Sequence, residues 1–290
     1  MNAGKPILLF ITKPETTMQE TRRGGTLLYQ FENLSQFPEI SHFVSTREGG
    51  ISQGNFSGLN LGFRTGDDHF RVLQNRRILA DAIGIGLEKF TFAMQNHTAN
   101  ISLVDSKGRG RGSAEHESAL ENTDAMITSV EKICLTVQTA DCVPVLLYDP
   151  VERVIAAVHA GWKGTLKKVT GHTIEKMIQN YGCKAENILA AMGPANGPCC
   201  YEVGEDVCRE TRIALGSTKG ILHPAKKPGK FIFDQWNANR LQMIDYGIRE
   251  DHIETAETCT QCRHETFFSS RAHNGITGRQ AAGIMLMKKH

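Results

Sequence analysis

Apolar and polar positions along most of this chain either alternate or run unbroken for four to eight residues, the mark of strands buried on one or both faces. Residues 40–46 predict a strand, closed by Arg47-Glu-Gly-Gly50. Residues 89–95 and 100–105 predict two more, and 123–128 with 133–139 predict a strand pair. Cys142-Val-Pro-Val-Leu-Leu-Tyr148 and Val154-Ile-Ala-Ala-Val-His159, joined by Asp149-Pro150, predict a tight hairpin. Residues 188–192 predict a short buried strand, and 266–271 with 280–287 a final hairpin around Asn274-Gly275. The period lengthens to that of a helix over 69–83, 165–181, 202–215 and 235–247. A Gly-, Asn- and Asp-rich stretch at 56–68 predicts an ordered or functional loop. Residues 1–26 are expected to be a flexible N-terminal segment. With no internal repeat, heptad or linker beyond it, 27–290 are expected to form a single α+β domain around a large mixed sheet core.

The hairpin carries candidate chemistry. Pairing across its turn sets Cys142 opposite about Ala160, and makes His159 the cross-strand neighbour of Cys142. His97, between two predicted strands, supplies a third donor. Thiolate and imidazole are preferred ligands of Zn2+, and catalytic zinc keeps three protein ligands with a fourth position open. The spacing is too long for a zinc finger, so the strands must assemble such a site. Two other readings fit the same residues. Cys142 and His159 can be a small buried thiol and a satisfied core histidine, or Cys142 can be a nucleophile with His159 or His97 as its base. The motif Cys259-Thr-Gln-Cys262 has no second pair at suitable spacing and reads as incidental. The junction Gly161-Trp-Lys163-Gly164-Thr165 can present backbone N–H groups and a positive charge to an anion, or can be a turn with Thr165 as an N-cap.

Composition narrows the classes. The formal charge is +2 over 290 residues, which argues against nucleic acid or a membrane surface as the main partner. Basic clusters such as Lys107-Gly-Arg-Gly-Arg111 sit among glycines and read as solvated loops. Eight cysteines, two of them adjacent at Cys199 and Cys200, do not make a disulfide framework in a chain this long. The run Pro6-Ile-Leu-Leu-Phe-Ile11 is too short to span a bilayer. A reducing cytoplasm and a monomer are the expectations.

At these residues the chain resembles the laccase-domain, or polyphenol-oxidase-like, family of purine nucleoside phosphorylases. The matching pieces are Phe43-Val-Ser-Thr-Arg47-Glu-Gly-Gly50, Leu59-Asn60-Leu-Gly62 with Gly66-Asp-Asp68, and Gln95-Asn-His97. They continue as Thr139-Ala-Asp-Cys142-Val-Pro, Val158-His-Ala-Gly-Trp-Lys-Gly164, Gly193-Pro-Ala with Cys200-Tyr-Glu-Val203, and Phe267-Phe-Ser with Thr277-Gly-Arg279. The resemblance implies one domain with a mixed β-sandwich-like core flanked by helices. It also implies zinc on His97, Cys142 and His159, catalysis at those residues with Arg47, and nucleoside and phosphate as substrates. For Arg47 it suggests an anion or ribose role; the Lys163-Gly164-Thr165 helix start, Asn60 and Arg279 complete the candidates for binding them. Two departures stand out. Asn96 and Thr98 flank the first histidine where the family has Val and Gly, and Ser270-Arg271-Ala272-His273-Asn274-Gly275 replaces Tyr-Arg-Arg-Asp-Gly.

A multicopper oxidase needs a type-1 copper and a trinuclear cluster, hence many histidines, several in His-x-His pairs. None of the 11 histidines here is separated from another by a single residue. Copper still competes for the zinc ligands, since Cu2+ outranks Zn2+ in intrinsic affinity. Copper-dependent phenol oxidation therefore ranks second to phosphorolysis of adenosine, inosine and methylthioadenosine with adenosine deamination. A non-catalytic zinc-binding protein is the third reading. Asp141 and Glu202 are the carboxylates considered for proton transfer.

Overall fold

A computed structural model describes residues 18–288. The strands are, in chain order, β1 (Gln19–Arg23), β2 (Thr26–Gln30), β3 (Ile40–Ser45), β4 (Phe90–Thr91) and β5 (Ile101–Leu103). They continue with β6 (Ala125–Thr128), β7 (Cys134–Thr139), β8 (Val143–Asp149), β9 (Val154–Ala160) and β10 (Leu189–Met192). The last five are β11 (Glu202–Gly204), β12 (Leu222–Pro224), β13 (Lys230–Phe233), β14 (Ile253–Thr255) and β15 (Gln280–Leu286). The helices are α1 (Glu32–Ser35), α2 (His69–Ile83), α3 (Trp162–Leu166), α4 (Val169–Tyr181), α5 (Glu205–Leu215) and α6 (Gln235–Asp245).

Two six-stranded sheets form the core, in the orders β1-β2-β3-β15-β7-β4 and β14-β10-β8-β9-β6-β5. Side chains on a strand alternate between faces, and the second sheet uses both. Met126, Leu146, Tyr148, Ile155, Ala157 and Ala191 point to the first sheet, meeting Tyr29, Val44, Leu135, Val137, Ala282 and Ile284. Their neighbours Ile127, Val145, Leu147, Ala156, Val158 and Ala190 point the other way, onto Val169, Ile174 and Met177 of α4 and Met243 of α6. The outer face of the first sheet is covered by Leu79, Ala80 and Ala82 of α2. The result is a single α+β domain, a sandwich of two mixed sheets between helices, as expected. Burial on both faces explains why these strands read as unbroken apolar runs. A small third sheet, β11-β13-β12, packs with α5.

Helix α2 begins and ends as its sequence requires. Asp68 caps it by accepting from the Arg71 N–H, and Gly84 closes it at φ 80°. Other expectations are corrected. The segments 123–128 and 133–139 are both strands but not partners: β6 pairs with β9 and β5, and β7 with β15 and β4. A strand pattern specifies burial, and where both faces are buried it does not specify the neighbour. The 266–271 arm of the last hairpin is not a strand, and β15 lies between β3 and β7 instead. Phe267 and Phe268 are buried for another reason: Phe267 packs against Tyr29 and Phe268 beneath Arg47. The helix expected over 165–181 is two, broken at Lys168, which adopts φ 57°. Its true start is Trp162 with Gly161 as N-cap, so Thr165 lies inside α3 and caps nothing. The 202–215 segment begins as a strand, β11, before α5. At the N-terminus, β1 falls within the stretch expected to be flexible and pairs antiparallel with β2, which begins at Thr26; residues 1–17 of that stretch lie outside those described.

Candidate metal centre

The β8–β9 hairpin forms, one residue out of the expected register. Pro144 lies opposite His159 and Val143 opposite Ala160. The difference matters because a one-residue slip moves every side chain to the other face. In the expected register Cys142 and His159 would project to opposite faces. In the observed one His159 shares the face of Pro144, Leu146 and Tyr148, toward the first sheet. Cys142, two residues before Pro144, approaches His159 diagonally from the bend that precedes β8. His97 enters from the loop between β4 and β5. One ligand atom from each of the three lies within 4.8 Å of the others. The Cys142 Sγ to His97 Nε2 distance is 3.6 Å.

A residue that the sequence reading missed organises the cluster. Asp124, 1% exposed, sits just before β6. Its Oδ1 lies 2.8 Å from His159 Nδ1 and accepts the His97 N–H at 3.1 Å. Its Oδ2 accepts from the Thr98 N–H at 2.7 Å, the Thr98 hydroxyl at 2.6 Å and the Asn96 N–H. His97 adopts φ 56°, and in that left-handed turn three successive N–H groups converge on one carboxylate, an anion nest. Thr98, a departure from the family pattern, thus joins the carboxylate that fixes both histidines. The signal available in sequence was Thr123-Asp-Ala125 at a strand start, too short to interpret.

The electrostatics form one coupled set. Burial would raise the Asp124 pKa, but hydrogen bonds from His159 and Thr98 outweigh it and hold the carboxyl at about 2. Burial lowers His159, and Cys142 and Asp124 together overcome that and bring it up to about 9. Burial raises Cys142, yet His159 and His97 draw it down to about 6. The shifts favour a thiolate beside an imidazolium, a pair in which a divalent cation would take the place of that proton.

The donor set fits zinc. Tetrahedral Zn–S and Zn–N bonds put sulfur and nitrogen about 3.6 Å apart, the distance seen between Cys142 and His97. The Asp124 bond to His159 Nδ1 leaves Nε2 for the ion, as ligating histidines require. Gly161 makes the room: a Cβ there would stand 2.7 Å from His97 Cδ2 and 2.8 Å from Cys142 Sγ. Two cavities flank the cluster and share His97, His159 and Arg279. One, of about 320 Å3, is also lined by Phe63, Arg64, Gln95, His116 and Gln138. The other, of about 280 Å3, is also lined by Asp141, Cys142, Trp162, Tyr201 and Arg271.

Of the remaining expected residues, Arg279 lines both cavities and Asp141 the second. The Arg279 guanidinium donates to the Thr277 and Gly278 carbonyls, and its backbone N–H to Asn60 Oδ1. Arg47 is occupied elsewhere, donating to the Ser57 and His264 carbonyls over the Phe268 ring. Asn60 is buried and organises the loop that follows it, donating to Thr65 and Asp67 and accepting from Gly62. Thr165 turns into the helix packing, where its hydroxyl accepts from Asn239. Gly164 is buried against Thr98 and Val169. Lys163 is exposed with its ammonium 5.5 Å from the Trp162 ring. Asp141 lines the second cavity with both carboxylate oxygens engaged, by Thr260 and by the Arg271 N–H. The Glu202 carbonyl accepts from Arg271.

The motif Cys259-Thr-Gln-Cys262 is not isolated. Cys199 and Cys200 meet it, with one sulfur from each of the four within 4.8 Å of the others. The second pair was hidden in the sequence because it is adjacent rather than spaced, and because a parallel strand pairing, β10 with β14, brings the two loops together.

Comparison with known proteins bears on this geometry. The family described as multi-copper polyphenol oxidoreductase laccase matches residues 41–287. A purine nucleoside phosphorylase of Bacteroides thetaiotaomicron is 35% identical over 258 residues, 89% of this chain and 96% of that protein. Adenosine deaminase RL5, from an unknown prokaryotic organism, is 34% identical and covers 84% of this chain and 93% of its own. The crystal structure of YlmD from Geobacillus stearothermophilus superposes with a TM-score of 0.88 at 33% identity, covering 94% of this chain and 100% of that one.

Proposed function

The chain belongs to the multi-copper polyphenol oxidoreductase laccase family, and from that footing we propose that it is a Zn2+-dependent purine nucleoside phosphorylase with adenosine deaminase activity. Adenosine, inosine and methylthioadenosine are its substrates in this reading. The observation that carries it is the meeting of His97, Cys142 and His159 with Arg279 where two cavities join. A structural zinc would have four protein ligands; this cluster offers three and opens onto space large enough for a ligand. The names of the relatives support the activity class.

An ion held by His97, Cys142 and His159 would supply a Lewis-acidic centre with an open ligand position. The chain's own groups do the rest. Phosphorolysis joins a phosphate oxygen to C1′ of the sugar as the bond from C1′ to purine N9 breaks, so it needs an anion site beside a site for the base. Arg279, with Arg64 and His116, puts positive charge and donors around the first cavity for phosphate. Trp162 and Tyr201 give the second cavity aromatic faces on which a purine stacks. Arg271, with its guanidinium 5.0 Å from the Tyr201 ring, holds that wall in place. Arg47, Asn60 and Thr165 act from outside by fixing the loops that deliver these groups. Every residue invoked belongs to one chain, so the reading includes a monomer, and eight free cysteines accord with a reducing cytoplasm.

Copper-dependent phenol oxidation is the second reading, favoured by the His2Cys donor set that blue-copper sites use. Among the described residues the only other metal-competent group is all cysteine, so no histidine set for a trinuclear cluster accompanies it. The deciding experiment uses metal-quantified protein purified without added copper. Adenosine and inosine are incubated with and without phosphate, and products are resolved by chromatography. Phosphate-dependent release of free base, with inosine formed from adenosine, is the expected result. No turnover by protein carrying stoichiometric zinc would refute the assignment.

A further inference from the structure

The strands β10 and β14 are parallel neighbours, so the loops that leave their C-terminal ends emerge side by side. The Ala195–Cys259 bridge extends the pairing, and the Thr260 N–H bonds the Ala195 carbonyl. One loop carries Cys199 and Cys200, the other Cys259 and Cys262. Cys262 Sγ lies 3.5 Å from Cys199 Sγ and 3.3 Å from Cys200 Sγ. All four thiols are free. We propose that Cys199, Cys200, Cys259 and Cys262 bind a second Zn2+ as a closed four-thiolate site, which locks the two loops together and positions Asp141 beside Cys142.

Four thiolates on one zinc stand about 3.8 Å apart at the tetrahedral angle, so the observed separations need only slight expansion to admit the ion. A disulfide would use one pair, whereas Cys262 is nearly equidistant from two partners and Cys259 stands beside both loops. The Gly197 N–H donates to Cys259 Sγ at 3.2 Å, a bond that favours thiolate over thiol. Four identical soft donors with no histidine or carboxylate suit Zn2+, and four protein ligands leave no open position, which makes this a structural site. Its reach to the first cluster is direct. Thr260, between Cys259 and Cys262, donates to Asp141 Oδ1 at 2.6 Å. The Asp141 carbonyl accepts from the Asn196 N–H, three residues before Cys199. Asp141 holds φ 92°, a left-handed conformation that a non-glycine residue keeps only when its surroundings enforce it.

The test is elemental analysis of full-length protein prepared with zinc and without chelator, beside Cys142→Ala and Cys262→Ser. About two zinc ions per chain are expected in the parent and about one in each variant, with all eight cysteines titrating as free thiols once the parent is unfolded in chelator. Cobalt substitution gives a second reading that does not depend on Cys262→Ser folding. Cys142→Ala has no thiolate at the first site, so any thiolate-to-cobalt charge-transfer absorption left in it comes from the four cysteines, and it should be strong. One ion per chain in the parent, fewer than eight thiols, iron in place of zinc, or no charge-transfer absorption in Cys142→Ala would each overturn the proposal. A failure of the phosphorylase assignment would leave all these readouts unchanged.

Discussion

The two sulfur-bearing clusters are built from the same sheet by opposite means. His97, Cys142 and His159 are gathered by an antiparallel hairpin and the loop after β4, and are backed by a buried carboxylate. Cys199, Cys200, Cys259 and Cys262 are gathered by a parallel pair and bring sulfur alone as donor. The first cluster opens onto the two cavities that His97 and His159 share, while Cys199 and Cys259 line a separate cavity of about 620 Å3. Three mixed donors that leave a ligand position open, with a charged support, suit exchange and chemistry, whereas four uniform thiolates on two loops suit permanence. Removing a ligand should therefore cost activity at one cluster and rigidity at the other.

The largest effect that would sharpen this contrast is at Cys142. Cys142→Ala should lower phosphorolysis by about 10^3-fold, several kcal/mol of lost transition-state stabilisation, with the melting temperature little changed. Activity retained with only one bound ion would place the chemistry elsewhere. Asp124→Asn keeps the size of the support and removes its charge, and should weaken metal binding at the first cluster by about 10–100-fold. Competition with a chromogenic chelator reads that affinity, and parity with the parent would show that the carboxylate only braces the loop. Gly161→Ala follows. The backbone there, at φ −72°, accepts alanine, so only the Cβ crowding of His97 and Cys142 is tested. About a tenfold loss of metal affinity is expected, at the lower end of what disturbed ligand support costs; none at all would mean that the ligands shift freely. The smallest effect links the clusters. Thr260→Val removes the hydrogen bond to the Asp141 carboxylate and should cost about 1.5 kcal/mol of stability, read from the denaturant midpoint. An unchanged midpoint would uncouple Asp141 from the cysteine loops.

The legible and illegible parts of the site divide along these elements. His97, Cys142 and His159 were identifiable because their motifs are local and because the hairpin joining two of them closes within one turn. The same reading set the hairpin one residue out of register, for strand pattern fixes which residues are buried and leaves the pairing to the turn. Arg279 was found through its motif; Arg47, Asn60 and Thr165 share equally clear motifs, yet their side chains serve the loops and the α3–α6 packing. Asp124 and the cysteine pair at 199–200 carried no local pattern that could mark them.

By itself the sequence determined what burial and local bonding decide: a strand-rich α+β domain, the extent of α2 with its Asp68 cap and Gly84 stop, the hairpin, and the candidate ligands of the first cluster. Only the tertiary structure decided which strands are neighbours, that Asp124 gathers three N–H groups and one imidazole, and that two loops more than 60 residues apart in the chain bring four thiols together. The physical reason is range. Periodicity, capping and turns act over a few residues and leave their mark in order along the chain, whereas sheet pairing and the convergence of polar groups on a buried charge are set by the packing of segments that no local pattern connects.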